Sequence, residues 1–161
     1  MTTADTPSSS GTPPGAPPQR RVDQLLAHYG ESHTHPTNEV IHFVAIPLIM
    51  LSLVGLIYAL HPLAAYAFVG ASMVYYARLS AVFLVTMVAG SFGMLALIHA
   101  MDARGILVHA CLAIFVVAWI FQFIGHKLEG KKPSFFEDVQ YLWVGPLFVL
   151  SKLLGKLGVR W

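Results

Sequence analysis

The chain has 161 residues, 56% of them hydrophobic and only 11% charged, with a net charge of +2 and a mean hydropathy of +0.65. Soluble domains carry roughly 25% charged residues, so this composition excludes a single water-soluble core and makes a bilayer the matching solvent. The basic residues sit in short clusters between apolar runs, which reads as membrane topology and excludes a nucleic-acid surface. A lone cysteine, Cys111, inside an apolar run excludes an internal disulfide and any thiolate metal motif.

Residues 1–19 are rich in Thr, Ser, Gly and Pro and hold no apolar stretch. They predict a disordered tail and no cleavable signal peptide, leaving residues 20–161 as one integral-membrane domain. Val22, Leu25, Leu26 and Tyr29 recur at helical spacing and predict a short amphipathic helix at the interface. Gly30 and Pro36 bound a non-helical loop after it, and Asn38 is placed to cap the next helix. Apolar segments then run over 40–60, with a kink at Pro47, and over 63–79, 81–101, 106–124 and 139–154. Ser134 and Glu137 have capping-box spacing ahead of the last segment. That segment is interrupted by Gly145-Pro146 and predicts a broken or re-entrant helix. The expected fold is all-α: a polytopic membrane helical bundle with four to five transmembrane segments. No internal repeat is evident.

If the spans alternate, Arg20, Arg21, Arg78, Lys127, Lys131 and Lys132 share one side, which the positive-inside rule makes cytoplasmic. Lys152, Lys156 and Arg160 join that side only if the last segment does not cross. His33, His35, His42 and His126 then gather at the cytoplasmic boundary, while His61, His99 and His109 fall near the opposite one.

Two polar clusters therefore meet. The first is Tyr29-Gly30-Glu31-Ser32-His33-Thr34-His35-Pro36-Thr37-Asn38-Glu39-Val40-Ile41-His42. His42 stands four residues after Asn38, on the same helical face. Histidine inside a membrane segment is costly and faces a polar cavity or a partner, although a bond to a backbone carbonyl would satisfy it equally. The second cluster places Gln122, His126 and Glu129 on one face, with Gly125 giving close access. His126 could simply complement a helix dipole, and Glu129 could pair with Lys127 or Lys132. Asp138 is either a helix-start charge or an acceptor behind a ligand. A histidine-rich site without sulfur suits iron, zinc, copper or nickel. No Ser-His-Asp order, phosphate-binding loop or HExxH motif is present.

At these two clusters the chain resembles the membrane 2-hydroxy fatty acid dioxygenases of fatty-acid α-oxidation, whose eukaryotic members convert phytosphingosine-derived acids to odd-chain fatty acids. The matching residues are Tyr29, His33, Pro36, Asn38, His42 and Pro47, then Trp119-Ile120-Phe121-Gln122-Phe123-Ile124-Gly125-His126, Pro133 and Pro146. The stretch between His126 and Pro133 is shorter here than in eukaryotic members. The resemblance implies an Fe(II)-dependent enzyme that uses O2 to cleave C1 from C2 of a 2-hydroxy fatty acid, releasing CO2 and an acid one carbon shorter. It implies His33, His42 and His126 as catalytic iron ligands, with Glu129 a further ligand candidate. Asn38, Gln122 and Asp138 would support them, and Arg78, Lys131 or Lys132 would pair with the substrate carboxylate. The acyl tail would lie among the helices. The membrane would be the inner membrane of a bacterium or the endoplasmic reticulum of a eukaryote, with the active face cytoplasmic. The competing reading is a non-catalytic lipid-binding or scaffold protein with structural histidines. A metal transporter is disfavoured, because a transport path needs polar residues through the middle of the spans.

Overall fold

The computed structural model describes residues 19–31, 35–130 and 142–161. The expected tail, His33, Lys131, Lys132, Pro133, the Ser134–Glu137 capping box and Asp138 lie outside the described residues. The described residues form six helices: α1 (Arg21–Gly30), α2 (Pro36–Leu60), α3 (Pro62–Ala77), α4 (Ala81–Ala103), α5 (Leu107–Leu128) and α6 (Val144–Lys156). Three helices, α2, α4 and α5, are long and apolar enough to cross a membrane. α3 has 16 residues, about 24 Å, which falls short of a hydrocarbon core of about 30 Å. Pro62 opens it and it stops before Arg78, so among the described residues the full-length spans number three, slightly fewer than the expected four to five.

α1 buries Val22 and Tyr29, and Leu25 and Leu26 pack with Val144 and Phe148 of α6. The amphipathic stripe read from the sequence thus faces another helix. Pro36 occupies the first turn of α2, where its missing N–H costs nothing. The helix cap is His35, whose ring accepts from the Thr37 N–H at 3.2 Å. Asn38, expected as the cap, lies within the first turn and is fully buried. α2 then runs without a break through Pro47.

The most extensive helix–helix interface joins α2 to α5. Its buried residues on α2 include Asn38, His42, Ala45, Ile49, Ser52 and Gly55, and on α5 Cys111, Ala118, Gln122, Gly125 and His126. Many are small, and small side chains let helix axes approach closely where lipid supplies no hydrophobic drive. A methyl on Gly55 would overlap the Cys111 sulfur. The α2–α3–α4–α5 order brings the start of α2, the ends of α3 and α5 and the start of α4 to one end of the bundle.

α6 begins at Val144, so Gly145-Pro146 falls in its first turn and interrupts nothing. Both ends of α6 stay at that same end of the bundle. Just ahead of it, the Trp143 indole donates to Ser72 Oγ on α3 at 2.8 Å. Towards its far end, Lys152 pairs with Glu39 in the first turn of α2 at 3.2 Å. Leu147 and Leu154 pack with Val22, Tyr76 and Phe83. α6 therefore does not cross the bundle, and Lys152 joins the basic side, the arrangement that fits the charge pattern better.

Candidate metal centre

His42 and His126 meet at the α2–α5 interface. Their ring centroids are 5.1 Å apart with the planes at 82°, and exposures of 1% and 6% place both out of solvent. His42 Nδ1 lies 2.9 Å from the Asn38 carbonyl, four residues back. A carbonyl only accepts, so Nδ1 carries the proton and Nε2 is the electron-pair donor. This contact is the carbonyl bond considered from the sequence. It orients the ring as the outer hydrogen bond of a metal-binding histidine does.

Two buried amide oxygens accompany the imidazoles: among the described residues, Asn38 Oδ1 and Gln122 Oε1 have no hydrogen-bond donor. An orphaned buried acceptor costs about 1–3 kcal/mol. Two of them beside a histidine pair form a set of electron-pair donors, which fits a cation. Gly125 is what allows Asn38 to sit there, because a methyl on Gly125 would overlap Asn38 Oδ1 and lie 3.4 Å from Ile41 Cγ2.

Glu129 caps α5, and Gly130 ends the helix behind it with a φ of 72°, a left-handed position that glycine takes without strain. The Glu129 carboxylate accepts from the His35 N–H at 2.9 Å and from Asn38 Nδ2 at 3.0 Å. It thereby sits at the positive end of the α2 dipole and ties the end of α5 to the start of α2. A Glu129→Ala protein is expected to lose about 1.5–3 kcal/mol, the worth of hydrogen bonds to a charged group. Thermal unfolding in detergent measures this, and Glu129→Gln should recover part of the loss.

Arg78 caps α3 at the same end of the bundle, exposed, and no hydrogen bond among the described residues joins it to the histidines. His99 lies towards the other end, held by Tyr66 Oη at 2.9 Å and the Leu95 carbonyl at 2.6 Å. Among the described residues, no group of three or more His, Cys, Asp or Glu side chains is placed to hold a metal. The described set is two histidines with two amide oxygens. Sequence reasoning missed the cap at His35 and its link to Glu129. The only advance signal was that residue 35 directly precedes a proline fit for a first helical position.

Fold and site together define an all-helical membrane protein with a buried histidine pair near one end of its bundle. Residues 19–157 match the family described as "2-hydroxy-palmitic acid dioxygenase Mpo1-like", and the chain belongs to that family. It is also similar to the protein named 2-hydroxy-palmitic acid dioxygenase MPO1 of Saccharomyces cerevisiae, with 41% identity over 49 residues, 29% of this chain and 28% of the relative. No solved structure matches the chain.

Proposed function

We propose that this protein is an Fe(II)-dependent dioxygenase that shortens 2-hydroxy fatty acids by one carbon. The reaction converts a 2-hydroxy acid and O2 into the next shorter fatty acid, CO2 and water. The observation that carries the proposal is the His42–His126 pair, buried side by side in a chain of this family. The yeast relative's name supplies the substrate class.

His42 and His126 would hold the iron, with His33 as a third ligand. Bound there, iron supplies the means of activating O2 at a site open to substrate oxygens. The rest falls to the protein. The Asn38 carbonyl keeps His42 in the Nδ1–H tautomer. Glu129 serves as a positioning carboxylate, fixing Asn38 and the start of α2. Gln122 Oε1 and Asn38 Oδ1 present buried acceptors to a cation or to the substrate hydroxyl. Asp138 would support the ligands from behind. Arg78, Lys131 and Lys132 would draw the substrate carboxylate to the boundary. The positive-inside rule puts this face in the cytoplasm, at the inner membrane of a bacterium or the endoplasmic reticulum of a eukaryote.

The test is oxygen uptake by Fe(II)-loaded protein given 2-hydroxypalmitate, with product analysis. Equimolar loss of O2 and release of CO2 and pentadecanoate is expected. Iron-loaded protein without turnover, in which His126→Ala lowers only thermal stability, would favour a lipid-binding or scaffold role instead.

A further inference from the structure

An apolar cavity of about 480 Å³ lies between α2, α3, α4 and α6. Pro47, Leu51 and Val54 line it from α2; their spacing of four and three residues marks a face of α2 turned away from His42. On α4 its lining runs from Thr86 to Leu97, about 16 Å of helix. That is about the depth of one hydrocarbon leaflet, half of a core about 30 Å thick, and hence the reach of one extended lipid tail. Of its four hydroxyl residues, Ser72, Tyr76, Thr86 and Ser91, three are already engaged. Ser72 donates to the Phe68 carbonyl at 2.8 Å, Thr86 to the Val82 carbonyl at 2.9 Å and Tyr76 to the Trp143 carbonyl at 3.2 Å. The walls thus offer an occupant hydrocarbon, the Ser91 hydroxyl and the thioethers of Met50, Met73, Met87 and Met94, side chains that adapt to a flexible chain.

We infer that this cavity holds the hydrocarbon tail of the 2-hydroxy fatty acid whose head binds at the His42–His126 pair; the inference rests on the proposed function. Pro47 is five residues from His42, about 8 Å along the helix. Between the two faces α2 presents Ile46 and Met50, and α6 packs there with Gly145, where a Cβ would lie 3.2 Å from Ile46 Cδ1. A tail passes around α2 along this seam only as the Ile46 side chain turns aside, since its Cδ1 is the nearest atom to Gly145. Gly90 and Gly93 set the depth of the cavity. Both line it, and a Cβ on either would meet nothing within 4 Å, so larger side chains fit without clash and fill the space the tail needs.

Methionine-methyl NMR of the labelled full chain, titrated with 2-hydroxypalmitate, reads the cavity directly and needs no turnover. Resonances of Met50, Met73, Met87 and Met94 are expected to move together and saturate, while Met101, which does not line the cavity, stays in place. Gly90→Leu/Gly93→Leu is expected to weaken 2-hydroxypalmitate at least about tenfold relative to 2-hydroxylaurate, the scale on which a pocket discriminates methylenes. The same titration reads this change. Cavity resonances that ignore the substrate, or an unchanged chain-length preference in the folded variant as expected of a bilayer-lipid site, would overturn the assignment. Binding with the expected shifts but without turnover would overturn the dioxygenase reading and leave the cavity as the tail site.

Discussion

A His126→Ala protein is expected to lose turnover of 2-hydroxypalmitate by more than the 10–100-fold that removal of a partner behind a metal ligand costs, and to lose iron with it. The reason is local. His126 is buried against His42 at a ring separation of 5.1 Å, among amide oxygens that supply no proton. Alanine there removes an imidazole donor and leaves His42 with amide oxygens, which are weaker ligands. His126→Gln is the informative companion, because it keeps polarity and much of the volume. If both variants remain folded and both fall to background, the imidazole itself is required. If His126→Gln retains most of the wild-type rate, the histidine serves packing and the ligand assignment fails. Oxygen uptake, with circular dichroism as the folding control, separates these outcomes.

Gly125→Ala is expected to have the second-largest effect, and on stability as well as activity. The added methyl would overlap Asn38 Oδ1 and sit 3.3 Å from Asn38 Cγ. Overpacking of this kind costs about 1–3 kcal/mol. Asn38 has little room to yield, since it is fully buried and its Nδ2 is bonded to Glu129. Displacing it breaks that bond and shifts the carbonyl that orients His42. The overlap also predicts strong coupling between the two positions. Asn38→Ala should relieve the clash, so the double variant is expected to be more stable than the sum of the single losses by about 0.5–3 kcal/mol. Thermal unfolding of all four proteins gives the coupling, and strict additivity would show that the two residues do not press on each other.

The residues that meet at the site were legible because helical periodicity needs no tertiary knowledge. Asn38 and His42 are four apart, Gln122 and His126 are four apart, and alternating spans bring their ends together. Charge patterning fitted Lys152, Lys156 and Arg160 better to a last segment that does not cross but left the crossing open, and the Lys152–Glu39 pair puts Lys152 on the basic side. The details of helix starts were not legible. Asn38 has the chemistry of a cap, but Pro36 fits the first helical turn so well that the helix begins earlier and His35 takes the cap. Gly145-Pro146 looked like an interruption, yet within a first turn a proline gives up no helical hydrogen bond. The cavity could not be foreseen, because it arises from four helices at once and from Gly90 and Gly93, which in sequence are two ordinary small residues on α4.

The proposed sharing of one metal ion by His42 and His126 is tested most directly by metal analysis of purified wild-type protein and of the His42→Ala/His126→Ala double variant after anaerobic loading with Fe(II) and removal of excess metal. The wild type is expected to keep one iron per chain and the folded double variant none. A double variant that retains iron at the wild-type level, or a wild type that retains none, would contradict the account.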